Sequence, residues 1–221
     1  IIRWGYEIMN VGIILAAGSS LRFDKKKPKQ FLKFKGKMLI EHSINTFLKH
    51  PNIDKVILVV SNEYFAFCSK MFKSCNVIEG GTTRQKSSYL ALEACPIDTK
   101  NVLIHDAARP FVGKDLITKS LDQLKTNVAV CPGLPLADTI ASVTNNKISK
   151  IIDREKVYRL QTPQSFNFKI LSKCHNMIDK SVTDDISIVL HFGYVPKIIK
   201  GSDKNIKITY KSDLKIIKSL I

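Results

Sequence analysis

The chain has 221 residues, 44% of them hydrophobic and 24% charged, enough apolar material to bury the core of one ordinary domain. That balance excludes disorder, collagen and coiled coil, and no apolar run approaches the ~20 residues needed to cross a bilayer. Lysine and arginine outnumber aspartate and glutamate by 35 to 19, a formal net charge of +16. Such an excess suits an anionic partner, whether nucleic acid, a membrane surface or a phosphorylated small molecule, but the cations are mostly lysines scattered along the whole chain, as on a solvated surface.

Residues 1–8 precede the first methionine, Met9, and are set apart as an N-terminal extension outside the fold argument. The apolar stretch 11–17 followed by Gly18-Ser19-Ser20 faintly mimics a signal peptide, but it is short and no basic region sits immediately before it. Cys68, Cys75, Cys95, Cys131 and Cys174 form an odd set without C-x-x-C or paired histidine spacing. They read as reduced thiols of a cytoplasmic protein, not as a disulfide framework or a zinc site.

In chain order, short Val/Ile-rich runs at 11–16, 56–60, 102–104, 128–131 and 195–199 predict strands. Helical periodicity predicts helices over 40–50, 83–94, 114–125 and 168–179. Strands that are apolar throughout, alternating with helices, indicate an α/β fold: a Rossmann-like, mostly parallel sheet covered by helices on both faces. Right-handed crossovers then put the loops after the strand carboxyl ends on one rim, where open α/β sheets bind ligands. No linker or repeat divides the chain, so 9–221 reads as a single domain. Residues 138–143 and 147–154 break the rhythm, as two roughly alternating strands around Asn145-Asn146 that predict a protruding β-hairpin. An isolated hairpin is marginal in water, so 138–154 packs either on its own domain or on a second subunit as a dimerisation arm. The C-terminal stretch predicts a strand at 206–209 and a helix over 212–220 capped by Ser212.

The loop after the first strand carries the most chemistry. In Leu15-Ala16-Ala17-Gly18-Ser19-Ser20-Leu21-Arg22, small residues let the backbone approach a ligand closely, and free N–H groups there can cradle phosphate oxygens. Arg22 and the lysines between 25 and 29 add cations that suit a triphosphate. The spacing is neither G-x-G-x-x-G nor a P-loop, which removes the support for hydride transfer or P-loop ATPase chemistry. Asp106 follows the strand at 102–104 at the same rim, where a carboxylate can hold Mg²⁺ or cap the loop by pairing with Arg109. Arg109 itself can grip phosphate or brace the loop. Clustered cations with interleaved aromatics, the mark of a nucleic-acid surface, do not occur.

The blocks Leu15-Ala16-Ala17-Gly18, Pro28-Lys29-Gln30, Gly80-Gly81-Thr82-Thr83-Arg84, His105-Asp106-Ala107-Ala108-Arg109-Pro110, Asp138-Thr139-Ile140, Asp153-Arg154, Gln161-Thr162-Pro163-Gln164, Thr183-Asp184-Asp185 and Asn205-Ile206-Lys207-Ile208-Thr209 stand in one order from about residue 9 to the C-terminus. Together they resemble the nucleotidyltransferases that activate sugar and polyol phosphates, and within them the 2-C-methyl-D-erythritol 4-phosphate cytidylyltransferase family. The resemblance implies transfer of CMP from CTP to a polyol phosphate with loss of pyrophosphate, assisted by Mg²⁺ or another divalent cation. It implies that Arg22, Lys29 and Lys207 are the catalytic cations. Ala16, Ala17, Gly18, Gly81, Ser87 and Asp106 would bind the nucleotide, Asp106 also holding the metal. Arg109, Thr139, Arg154 and Thr162 would bind the second substrate, with Thr139 and Arg154 supplied across a homodimer interface by the partner's arm. Thr162 equally suits a pre-proline turn. Thr82 departs from the family's usual Asp, and Tyr158 stands where a Trp is usual. A ribitol-5-phosphate or related polyol-phosphate cytidylyltransferase shares several of these blocks and is the competing reading. No general base is needed, because a phosphate monoester is already anionic near neutral pH.

Overall fold

A computed structural model describes residues 9–18, 20, 23 and 28–220, with only the backbone of 218–220. In chain order the elements are β1 (Met9–Leu15), a 3₁₀ turn at Lys29–Phe31, β2 (Lys33–Phe34), β3 (Lys37–Met38), α1 (Leu39–Leu48), β4 (Lys55–Val60), α2 (Asn62–Met71), β5 (Asn76–Glu79), α3 (Arg84–Glu93), β6 (Thr99–Asp106), α4 (Lys114–Gln123), β7 (Ala129–Pro135), β8 (Ile140–Thr144), β9 (Lys147–Ile152), a 3₁₀ turn at Arg154–Lys156, β10 (Tyr158–Leu160), β11 (Gln164–Asn167), α5 (Phe168–Met177), α6 (Asp185–His191), β12 (Lys197–Lys200) and α7 (Asp213–Leu220).

The main sheet runs β10-β7-β11-β6-β1-β4-β5, with β12 also paired to β7. β1 lies parallel to β4 and β6, β4 parallel to β5, and β12 parallel to β7, whereas β10 and β11 run antiparallel to their neighbours. Alternate residues of one strand feed opposite faces, as strand geometry requires. Val56, Leu58 and Val60 pack with Ile40, Ile44 and Phe47 of α1, Cys68 of α2 and Ile117 of α4. Ile57 and Val59 pack with Ala91 of α3, Leu171 of α5 and Ile188 of α6. Both faces of the sheet are therefore dry, which is why its strands read as unbroken apolar runs. Gly12 sits where a Cβ would come within 2.4 Å of the Phe47 ring, so its missing side chain lets α1 close on β1.

The hairpin forms as expected. β8 and β9 make a separate two-stranded sheet, and both turn residues have positive φ, Asn145 at 50° and Asn146 at 60°, the requirement of the two-residue turn that matches strand twist. It leaves Val143, Ile148 and Ile151 more than half exposed.

The C-terminal segment differs from the expectation. Residues 206–209 join no ladder and are tied by the Ile208 N–H to the Ala108 carbonyl at 2.8 Å. α7 starts at Asp213, whose Oδ2 accepts from the N–H groups of Thr209 at 2.7 Å and Tyr210 at 2.9 Å in the preceding turn. The sequence pattern also passed over α2, β5 and α6. Among the described residues, all five cysteines are free and no helix is long and apolar enough to cross a membrane.

Candidate active site

Register puts the chemistry on one rim. Leu15, the last residue of β1, stands opposite Val59 of β4 on one side and Asp106, the last residue of β6, on the other. The loops that leave β1, β5 and β6 therefore converge at the carboxyl ends of adjacent parallel strands, and a cavity of about 670 Å³ opens between them.

The first wall is the loop after β1. Ala16, Ala17, Gly18 and Lys29 all line the cavity. Gln30 staples this loop, its amide donating to the Ala16 carbonyl at 2.7 Å and more weakly to Gly18 at 3.4 Å. A Cβ on Gly18 would meet nothing of the protein within 4 Å, so the open space at that backbone faces the cavity. Arg22, with its neighbours 24–27, lies outside the described residues.

The second wall is the turn into α3. A Cβ on Gly80 would fall 2.5 Å from Ala17 and 2.9 Å from the Ser87 hydroxyl, so only glycine lets this turn close on the first loop. Ser87 lines the cavity but is buried, its Oγ accepting from the Gly81 N–H at 3.1 Å and donating to the Thr83 carbonyl at 2.9 Å. The hydroxyl thus shapes the Gly81 backbone. Thr83 caps α3 as expected, accepting from the Lys86 N–H at 3.0 Å, and Thr82 is exposed on the cavity wall.

The floor is Asp106. Its Oδ2 accepts from Lys207 Nζ at 2.7 Å and its Oδ1 from Arg84 Nε at 3.4 Å. Burial alone would raise the Asp106 pKa, but Arg84 and Lys207 hold it well below the usual carboxylate range, so it is ionised at neutral pH. Arg84 then reaches behind the cavity to the fully buried Asp185, with Nη1 to Oδ2 at 2.7 Å. Sequence reasoning gave no role to Arg84, Gln30 or Asp185. All three stood in the quoted blocks, but their partners lie 22, 14 and 101 residues away, so no local spacing marked them.

Arg109 and Thr162 do not line the cavity. Arg109 donates to the carbonyls of Asn205 at 2.7 Å and Leu160 at 3.3 Å, contacts that brace the loop. Thr162, 4% exposed and followed by Pro163 through a cis peptide bond, accepts from the Asp106 N–H at 3.1 Å and contacts His105 Nδ1 at 3.0 Å. His105 Nε2 lies 2.9 Å from the Arg109 carbonyl, which can only accept. The imidazole is therefore the Nε2–H tautomer, Nδ1 accepts from the Thr162 hydroxyl, and burial lowers its pKa to about 4. Held neutral, with both nitrogens committed, it steadies the strand end below the carboxylate. Thr139 and Arg154 lie exposed at the feet of the hairpin, away from the cavity of the same chain, and Arg154 donates to the Ala137 carbonyl.

Among the described residues no group of three or more His, Cys, Asp or Glu side chains could hold a metal ion. A protein-enclosed ion site is not what this rim offers. One ionised carboxylate facing a cation-lined cavity fits Mg²⁺ of the kind that takes most of its ligands from phosphate oxygens and water.

The family profile described as 2-C-methyl-D-erythritol 4-phosphate cytidylyltransferase matches residues 10–221. The 2-C-methyl-D-erythritol 4-phosphate cytidylyltransferase of Thermosipho melanesiensis is 41% identical over 219 residues, covering 95% of this chain and 96% of the relative. The "Bifunctional enzyme IspD/IspF" of Pelagibacter ubique is 41% identical over 205 residues, and this chain spans about half of it (92% of this chain, 55% of the relative). Among solved structures, the 4-diphosphocytidyl-2C-methyl-D-erythritol synthase of Anaerococcus prevotii superposes with a TM-score of 0.85 at 26% identity over 96% of each chain. By profile, by identity to relatives of its own length and by fold, the chain belongs to the 2-C-methyl-D-erythritol 4-phosphate cytidylyltransferase family.

Proposed function

We propose that the protein transfers CMP from CTP to 2-C-methyl-D-erythritol 4-phosphate with release of pyrophosphate, a step of isoprenoid precursor synthesis by the non-mevalonate route. The observation that carries this reading is that Lys29, from the first loop, and Lys207, from the C-terminal segment, line one cavity with Asp106, whose carboxylate Lys207 holds. A triphosphate there would lie against the backbone of Ala16, Ala17 and Gly18, with its charge facing both lysines. Gly81 and Ser87 would border the base, and Thr82 would contribute chiefly backbone where the family usually has a carboxylate side chain.

The chemistry is displacement at the α-phosphorus. An oxygen of the polyol phosphate forms the new P–O bond while the bond to the bridging α,β oxygen breaks, and pyrophosphate leaves with that electron pair. Two polyanions must meet while negative charge grows at phosphorus, so catalysis is positioning and cation supply. Lys29 and Lys207, joined by Arg22, would supply that charge. Asp106 would hold Mg²⁺ against the triphosphate, and the ion would neutralise phosphate charge and favour pyrophosphate as leaving group. No side chain need move a proton, and His105, buried and doubly bonded, is not placed to do so.

Thr139 and Arg154 would bind the polyol phosphate in a second copy's site, since their own cavity does not include them. The more than half-exposed Val143, Ile148 and Ile151 support the hairpin at 138–154 as the dimer arm of a single catalytic domain. Five free cysteines suit a reducing, cytoplasmic setting. A pyrophosphate-release panel crossing CTP, ATP, GTP and UTP with methylerythritol, ribitol and glycerol phosphates tests the reading. Release only with CTP and methylerythritol phosphate is expected, and a preference for ribitol phosphate would overturn it.

A further inference from the structure

Asp106 faces two demands that conflict. Half of its hydrogen bonding comes from Lys207, whose side chain is 40% exposed and which the proposed reaction needs at the phosphates. When Lys207 turns to the nucleotide, Arg84 is, among the described residues, the one protein cation still bonded to Asp106. That contact is long, at 3.4 Å, so its value depends on how firmly the guanidinium is held.

The hold comes from behind the cavity. Asp185 is fully buried, and its carboxylate accepts from Arg84 Nη1 at 2.7 Å, His175 Nε2 at 3.0 Å and Ser88 Oγ at 3.2 Å. Its own N–H donates to Gln164 Oε1 at 3.2 Å, so α3, α5 and β11 all converge on this first residue of α6. A buried carboxylate is tolerated only where it is paired and hydrogen-bonded, and this one aims its shortest bond at the arginine that touches Asp106. We propose that Arg84 is a positioning residue for Asp106, and that Asp185 acts through Arg84 to keep the Asp106 carboxylate oriented when Lys207 leaves it. The inference rests on the cytidylyltransferase reading for its kinetic consequence, but not for its geometry.

The test compares the full-length wild type with Asp185→Asn, Arg84→Lys and the double variant, each checked by thermal melting. Either single substitution should lower kcat about tenfold with the KM for CTP changed less than about threefold, because Asp106 is misplaced while the nucleotide still binds. The double variant should be no slower than the slower single, since two residues acting in series do not add. Additive losses, or a rise in the KM for CTP at unchanged kcat, would overturn the proposal by making Arg84 an independent nucleotide contact. If Asp185→Asn does not fold, Arg84→Lys carries the kinetic test alone, its side chain being 25% exposed at the cavity edge. A crystal structure of the folded variants carrying Lys207→Ala in addition, without nucleotide, supplies a readout independent of turnover, because Lys207 then no longer holds the carboxylate. Displacement of the Asp106 carboxylate from its native orientation supports the inference, and an unmoved carboxylate refutes it. A wild type inactive with CTP and methylerythritol phosphate would sink the proposed reaction and leave this structural comparison to decide.

Discussion

Lys207 Nζ lies 2.7 Å from Asp106 Oδ2, joining residues 101 positions apart in the chain. The pair fastens the C-terminal segment to the end of β6 and stores a cation at the position where phosphate would bind. On the proposed reaction, nucleotide binding would exchange partners, with Lys207 moving to phosphate oxygens.

Because the Lys207 side chain is 40% exposed, its ion pair contributes at most about 1 kcal/mol to stability. Lys207→Ala should then melt within a few degrees of wild type while losing at least about 100-fold in kcat/KM, the scale of removing one donor that stabilises transition-state charge. Lys29→Ala should behave alike. Steady-state kinetics beside calorimetry checks both, and a large loss of stability without a kinetic change would contradict the assignment.

Arg154 makes its one described side-chain bond to the Ala137 carbonyl, at the foot of the arm. If it serves a second copy's site, Arg154→Ala should raise the KM for the polyol phosphate about tenfold, the loss of one charge-assisted contact, with the KM for CTP unchanged. The wild type should sediment as a dimer. A monomer of full activity would remove the role of the arm.

What the chain pattern revealed, and what it did not, follows from distance. Val56, Leu58 and Val60 against Ile57 and Val59 announced a strand dry on both faces, and Asn145-Asn146 announced a turn whose two positive φ angles few other residues tolerate. Lys207 could not be told from the other lysines by its neighbours, because what distinguishes it is Asp106 across the fold. The 206–209 stretch alternates like a strand, but it is held by one backbone bond to Ala108 and by buried Asn205, whose Nδ2 donates to the Thr162 carbonyl at 2.7 Å. Nor does the sequence reveal that Thr162 bonds the Asp106 N–H and His105, partners 56 and 57 residues away.

Thr162 offers a separable test of that support. Thr162→Val keeps the shape but strips the partner from the Asp106 N–H and from His105 Nδ1, at a cost of about 1–3 kcal/mol. Thr162→Ser should restore both bonds and most of the stability. Urea titration of the three proteins decides, and equal midpoints for all three would show that the hydroxyl is dispensable.

His105 gives a pH dependence with a defined sign. Its folded pKa, lowered by burial to about 4, lies below the ordinary value of 6.5, so the unfolded chain binds the proton more readily. Its contribution is complete above pH ~6.5 and is lost as the pH falls toward about 4, in all about 3 kcal/mol for a shift of this size. His50, whose pKa burial also lowers, adds a loss of the same sign. Asp106 and Asp185 are also lowered, but from an ordinary value of 3.8, so most of their contribution persists through this window and falls away at more acid pH. Unfolding free energies measured between pH 7 and 4 should therefore decline for the wild type and decline less for His105→Asn, which cannot titrate, with the slope left in the variant assigned to His50. Parallel curves for the two proteins would mean that the imidazole takes up its proton as readily folded as unfolded, and that the neutral Nε2–H form held beneath Asp106 is wrong.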